Sequence, residues 1–179
     1  MPTSEYAQIP KVVEVIARLA PQTVLDVGAG YGKYGVLARE YAPVTRVDAI
    51  DANPPRYPVY DHVYLGGLRR IDALLPADAP HYDLALFLDV IEHLDKPEAY
   101  ALTDQLVRRC RRVLITTPWG FRPQEIPGMP FETHRSGWHP WDLSRRYRVH
   151  EWRAFPGHYT RHLKLPRLWQ LLAVVSQRG

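Results

Sequence analysis

Residues 24–32 read Val-Leu-Asp-Val-Gly-Ala-Gly-Tyr-Gly. An apolar run short enough to be a buried strand passes straight into three glycines spaced two apart, and a segment of helical pattern follows. Glycine takes the positive φ of a tight strand-to-helix turn, and without a Cβ it lets a ligand lie against bare backbone. The chain is thereby constrained to a parallel α/β unit, with a nucleotide-like ligand expected beyond the carboxyl end of the strand.

The spacing separates two classes of ligand. A dinucleotide fingerprint, G-x-G-x-x-G, would place its third glycine at 33, where this chain has Lys33, with glycine at Gly32 instead. A phosphate-binding turn also wants no carboxylate nearby, whereas Asp26 stands two residues before Gly28. S-Adenosylmethionine has no phosphate and carries an ammonium, a carboxylate and a sulfonium, so an acid beside the turn suits its positive end. Asp51 follows the next apolar run, 23 residues past Gly28. There it ends the second strand of a βαβ unit and can accept hydrogen bonds from both ribose hydroxyls.

Periodicity predicts a helix over 4–20, with its apolar face at Ile9, Val12, Val13, Ile16 and Leu19. It is followed by a strand at 23–27, a helix at 32–41, and strands at 44–50 and 62–65. One or two helical turns over 69–75 lead to a central strand at 82–88. Asp95 reads as the N-cap of a helix with Glu98 three residues on, and its buried side runs through Ala99, Leu102, Leu106 and Cys110. A strand at 112–117, a long loop at 118–140, a short helix at 141–146 and strands at 148–155 and 169–176 complete the chain. The expected fold is α/β, a doubly wound, Rossmann-like, seven-stranded and mostly parallel sheet with helices on both faces. All of 1–179 reads as one domain.

The glycine turn, Asp51, the stretch Leu-Asp-Val-Ile-Glu-His-Leu at 88–94 and Val-Leu-Ile-Thr-Thr-Pro at 113–118 stand in the order found in class I S-adenosylmethionine-dependent methyltransferases, and the chain resembles that superfamily over most of its length. The Asp-Val-Ile-Glu-His-Leu stretch is similar to one broad branch of it. The resemblance implies that the last strand of the sheet is antiparallel, which the strands at 148–155 and 169–176, joined without a full helix, would fit. The resemblance implies S-adenosylmethionine as cofactor, held by Asp26, Gly28, Ala29, Gly30, Gly32, Asp51 and Ala52. Gly67 and Leu68 would lie at the adenine, and Asp89 and Val90 at the methionine portion. Relatives often carry an acid for the adenine amino group after the third strand, and this chain does not.

Methyl transfer needs alignment more than covalent help. Where the acceptor is a hydroxyl of high pKa a base assists, and His93, His134 and His139 are the candidates. Asp89, Glu92, His93 and His134 also resemble the metal quartet of small-RNA 2′-O-methyltransferases, which carry glutamate at the first position. Asp89 departs from that pattern, and the Glu-His pair occurs in many relatives without metal, so no metal is expected. Trp119, Phe121, Phe131, Trp138 and Trp141 are expected to wall the acceptor pocket, roofed in part by Tyr6.

Composition sets the remaining bounds. With 179 residues the chain can bury roughly 70% of its unfolded surface. A single cysteine, Cys110, excludes internal disulfides and fits a reducing, cytoplasmic setting. No run of about 18 apolar residues and no leader-like segment is present, so no membrane association is expected. The net charge of +4 is carried mostly by arginine, clustered at 69–70, 108–112 and 145–148. Such a surface admits RNA as a partner, but a helix C-terminus before a buried strand explains the 108–112 group without one. The expected function is methyl transfer to an O, N or C nucleophile of a small molecule, with a homodimer possible. An RNA or protein methyltransferase, with or without metal assistance, and a non-catalytic cofactor-binding subunit are the alternatives.

Overall fold

The computed structural model describes residues 5–68, 71–128, 130–157 and 169–179. Its seven strands are β1 (Thr23–Val27), β2 (Arg46–Asp51), β3 (His62–Leu65), β4 (Tyr82–Leu88), β5 (Cys110–Pro118), β6 (Arg148–Pro156) and β7 (Trp169–Ser176). They form one sheet in the order β3-β2-β1-β4-β5-β7-β6. Strands β3 to β5 pair in parallel, whereas β7 runs antiparallel to both its neighbours. The chain walks outward from β1 to β3, then returns to place β4 on the other side of β1. Strand order therefore reverses between β1 and β4, and a crevice opens beyond their carboxyl ends, where open α/β sheets bind ligands.

Among the described residues five α-helices cover the two faces: α1 (Ile9–Leu19), α2 (Lys33–Tyr41), α3 (Ile71–Leu74), α4 (Lys96–Arg109) and α5 (Pro140–Ser144). On one face Val12, Ile16, Tyr34 and Ala38 pack on Val24, Leu84, Leu114 and Leu172. On the other Leu102, Leu106, Leu143 and Tyr147 pack on Leu25, Ala85, Val113 and Ile115. Val12, Val15 and Ile16 of α1 are fully buried, and such side chains contribute up to about 1.5–3 kcal/mol each. Helix α1 has proline in its first turn and stops at Ala20, whose backbone is left-handed (φ 46°) and whose N–H reaches the Ile16 carbonyl.

Several boundaries differ from expectation for local reasons. The N-terminal helix opens as a 3-10 turn, Tyr6–Gln8, before α1 begins at Ile9. Asp95 sits at the N-cap of α4 in extended conformation, but its side chain makes no cap hydrogen bond. Cys110 is the first residue of β5, not the last of α4, though it is buried as expected. The helix expected at 141–146 is the five-residue α5. The Arg69–Arg70 pair and the start of the helix expected at 69 lie outside the described residues. Among the described residues no helix is long and apolar enough to cross a membrane. Arg108 and Arg109 both reach Asp72, and Arg146 forms two hydrogen bonds to Asp104, so these cations already have acidic partners.

Candidate cofactor cleft and the groups at its mouth

The glycine turn is as tight as its sequence requires. Gly28, Gly30 and Gly32 have φ of 76°, 56° and 94°. Gly28 donates its N–H to the Ile50 carbonyl at 2.8 Å, which ties the turn to the end of β2. A Cβ at Gly28 would lie 2.6 Å from Val90 Cγ2, so the turn and the end of β4 touch only because that atom is missing. A Cβ at Gly30 would meet nothing within 4 Å. The turn thus presents bare backbone to open space, the cradle a ligand needs.

Asp51 ends β2 beside this turn. Its Oδ2 accepts from the Gly30 N–H and its Oδ1 from the Asn53 N–H, each at 2.8 Å. Each oxygen keeps a lone pair for a further donor, so two backbone amides orient the carboxylate without exhausting it. Ala52 is exposed next to it, Gly66 donates its N–H to the Asp51 carbonyl, and Leu68 packs on the core beyond Gly67.

Asp26 lies beneath the turn, 2% exposed, and accepts a 2.6 Å hydrogen bond from the Tyr60 hydroxyl. Burial is the main cause that pushes its carboxyl from 3.8 to about 7; the Tyr60 bond opposes the shift and the charge of Asp51 adds to it. The Tyr60 ring also packs over Gly35, where a Cβ would stand 2.6 Å from it. A raised carboxyl pKa makes the folded state favour the proton. Stability from this group is full below about 3.8 and falls as pH rises to about 7. Urea midpoints measured across that window are expected to drop with pH, and an Asp26→Asn variant is expected to show a shallower drop. An unchanged slope in the variant would exclude Asp26 as its source.

Asp89, just past β4, has φ 53°, an uncommon conformation for a residue with a side chain. Its Oδ1 accepts from the Thr116 hydroxyl at 3.1 Å and its Oδ2 from Gln8 Nε2 at 2.8 Å. Gln8 is fully buried, also donates to the Tyr34 hydroxyl at 3.0 Å, and holds an Oε1 that has no partner. Sequence reasoning passed over Gln8, because a lone glutamine ahead of a helix carries no signal until the helix is docked. Lys33 is half-buried; burial lowers its pKa and the charge of Asp89 opposes that shift. Removing Gln8 deletes its hydrogen bonds to Asp89 and Tyr34, at about 1–3 kcal/mol in all. A Gln8→Leu variant is expected to unfold at lower temperature and to expose backbone amides at 5–9 to faster hydrogen exchange.

The loop after β5 folds back across the cleft mouth. The carbonyl of Glu92 accepts from the N–H groups of Arg135 and Ser136, at 2.7 and 3.1 Å. Trp119 and Gly120 form bridges with Trp138. These contacts bring the rings of His93 and His134 to 5.0 Å between centroids. His139 is otherwise engaged. It caps α5 through a reciprocal pair with Asp142 and stacks on Trp141 at 4.4 Å. The aromatic wall is also divided. Trp138 is fully buried in the core, its indole N–H on the Ser136 hydroxyl, whereas Phe121, Phe131 and Trp141 are exposed. Trp138 therefore supports the loop and does not line a pocket. Glu92 is 3% exposed, and burial followed by the charge of Asp89 pushes its carboxyl well above the usual range.

No known protein family's sequence profile matches the chain, and no curated protein matches it in sequence. Solved structures do. The 1,6-didemethyltoxoflavin-N1-methyltransferase of Burkholderia thailandensis, with 1,6-didemethyltoxoflavin and S-adenosylhomocysteine bound, is similar with a TM-score of 0.71 at 19% identity, over 98% of this chain and 80% of that one. A putative methyltransferase from Bacillus halodurans gives 0.68 at 13% identity, over 97% and 100%. The N-methyltransferase NodS of Bradyrhizobium japonicum, in complex with S-adenosylhomocysteine, gives 0.65 at 12%, over 99% and 94%. The strand order and the antiparallel β7 are those of the class I methyltransferase fold.

Proposed function

We propose that this chain is an S-adenosylmethionine-dependent methyltransferase acting on an O, N or C nucleophile of a small-molecule acceptor. The observation that carries this reading is Asp51, held on the Gly30 and Asn53 amides beside a glycine turn that faces open space. Two structural neighbours whose crystals contain S-adenosylhomocysteine support it.

When bound, the cofactor supplies an activated methyl group on sulfonium. The chain's task is to place and orient. Asp51 accepts from the ribose hydroxyls. Asp89, fixed by Gln8 and Thr116, offers carboxylate charge to the ammonium end, and Lys33 beside it is the cation for the carboxylate. Gly28 and Val90 set the distance between the two strand ends. For an acceptor that needs deprotonation, His93 or His134 is the base; burial lowers the His134 pKa and leaves it neutral near pH 7. His139 has no such role, because its ring is committed to α5. A small-molecule acceptor is favoured over RNA because Arg108, Arg109 and Arg146 are occupied by Asp72 and Asp104.

Calorimetric titration with S-adenosylhomocysteine, with NAD in parallel, tests the reading. Binding of the first and not the second supports it. No binding of S-adenosylhomocysteine rejects it.

A further inference from the structure

Arg111, Arg112 and Arg148 stand at the end of the sheet opposite the cleft, where β5 and β6 begin. Val113 pairs with Val175 and Arg148 with Ser176, so one step along the register sets Arg112, Ser176 and Arg148 in a row across β5, β7 and β6. Residues opposite one another on neighbouring strands hold their Cβ atoms about 4.5–5.5 Å apart. Arg112 alternates with Leu114, and Ser176 with Val174, and both of those pack in the cluster under α1. A bulge between Val149 and Glu151 releases His150 from the pairing, and its Nε2 stands 2.9 Å from Ser176 Oγ.

These guanidiniums lack counter-charges. Elsewhere the chain sets arginine on carboxylate: Arg39 on Asp61, Arg146 on Asp104, Arg153 on Glu14. Glu151, the acid nearest the row in sequence, is held by Arg18 and Arg153. Among the described residues no carboxylate pairs with Arg111, Arg112 or Arg148. Burial, and then the charges of Arg111 and Arg148, lower the Arg112 pKa. Like charges held together destabilise the compact chain, and a bound anion relieves that repulsion. Arg112 Nη1 donates to the Arg111 carbonyl at 2.9 Å, which fixes the guanidinium and leaves most of its N–H donors for a ligand.

The row borders a concave site. Arg111 and Arg112 also line a pocket of about 400 Å³ between the end of α1 and the start of β4, a size within the range of about 300–1,000 Å³ that holds small molecules. Leu19, Ala20 and Pro21 make one wall apolar, and Asp83 lines another. Asp83 Oδ2 accepts from the Gln22 N–H, the Thr23 N–H and the Thr23 hydroxyl, at 2.9, 3.0 and 3.2 Å. Its Oδ1 is left for a donor on a ligand.

We infer that this end of the sheet binds a phosphorylated small molecule, with its phosphate on Arg111, Arg112 and Arg148 and its body in the pocket. Leu19, Ala20 and Pro21 take the apolar part of that body, and Asp83 takes a hydroxyl or amine. A phosphomonoester carries about −1.5 to −2 charge near pH 7 and three acceptor oxygens, which several guanidiniums match. A carboxylate is satisfied by a single arginine fork. A pocket of this size favours a small ligand over a nucleic-acid backbone, whose phosphates follow an extended groove. The site lies at the opposite end of the strands from Asp51 and the glycine turn, so it does not depend on the methyltransferase reading.

Calorimetric titration of the intact protein with glycerol 3-phosphate, ribose 5-phosphate and phenyl phosphate tests the site, with inorganic phosphate and ribose as the separate halves. The expected result is one site per chain, which at least one ester fills tenfold or more tighter than either half. Its affinity is expected to be unchanged by saturating S-adenosylhomocysteine, and to fall tenfold or more in Arg112→Gln and in Arg148→Gln. Should a variant fail to fold, the intact protein decides: the ester is expected to shift the Leu19 methyl and Arg112 Nε resonances. Displacement by S-adenosylhomocysteine would put the ester in the cleft and overturn the site. Inorganic phosphate that binds as tightly as every ester, variants with unaltered affinity, unmoved resonances, or no binding of any ester overturn it too. A single-stranded RNA oligonucleotide that binds more tightly than the esters, and weakens in the same two variants, would overturn the small ligand in favour of a polyanion.

Discussion

Replacing Gly28 with alanine is expected to cost both stability and cofactor binding. Two penalties coincide. The backbone at 28 has φ 76°, which costs a residue with a Cβ about 1–2 kcal/mol. The new Cβ would stand 2.6 Å from Val90 Cγ2, closer than carbon atoms approach. Relieving that overlap costs about 1–3 kcal/mol more, because the turn is tied to Ile50 and Val90 is nearly buried. The expected sum is about 2–5 kcal/mol of stability, together with loss of S-adenosylhomocysteine binding. Adding Val90→Ala separates the two causes: it is expected to recover the overlap and not the backbone strain. Urea unfolding of the four proteins in this cycle measures both. Full recovery in the double variant would falsify the strain contribution.

Replacing Asp51 with alanine is expected to abolish cofactor binding while leaving most of the fold intact. The wild-type carboxylate makes charge-assisted bonds, which are worth about 1.5–3 kcal/mol each. Losing the bond to a single ribose hydroxyl therefore weakens binding by roughly 10- to 150-fold. The variant also frees the Gly30 and Asn53 amides, so the turn loosens and the loss in affinity exceeds the ribose contribution alone. Asp51→Asn keeps an acceptor of similar shape without the charge and is expected to fall between the two. Calorimetry with S-adenosylhomocysteine reads the series. Equal affinity in all three proteins would remove Asp51 from the site.

These two positions were also the most legible ones in the chain. A buried strand followed at once by Gly28, Gly30 and Gly32, and a second strand ending in Asp51, are local patterns. Backbone sterics and parallel pairing leave them few other meanings. The alternation of apolar runs with helical stretches foretold the mostly parallel sheet for the same reason, since each element announces its buried face by its own period; the antiparallel last strand came from the family resemblance, because no period encodes strand direction. Boundaries were less legible where neighbouring signals overlap. The apolar Cys110 fits the end of α4 as well as the start of β5, and pairing with Tyr82 decides for the strand.

What sequence alone determined is therefore the order of strands and helices and the open glycine turn with Asp51 beside it, because both follow from residue types a few positions apart. The tertiary structure decided which polar side chains meet. Tyr60 reaches Asp26 across 34 residues, Gln8 reaches Asp89 across 81, and Glu92 receives the Arg135 and Ser136 amides from a folded-back loop. It separated His139, which caps a helix, from His93 and His134, which face one another, although all three read alike as histidines near the cleft. A hydrogen bond acts over about 3 Å. Residues distant in sequence come within that range only when packed elements carry them there, and no period in the chain encodes that distance.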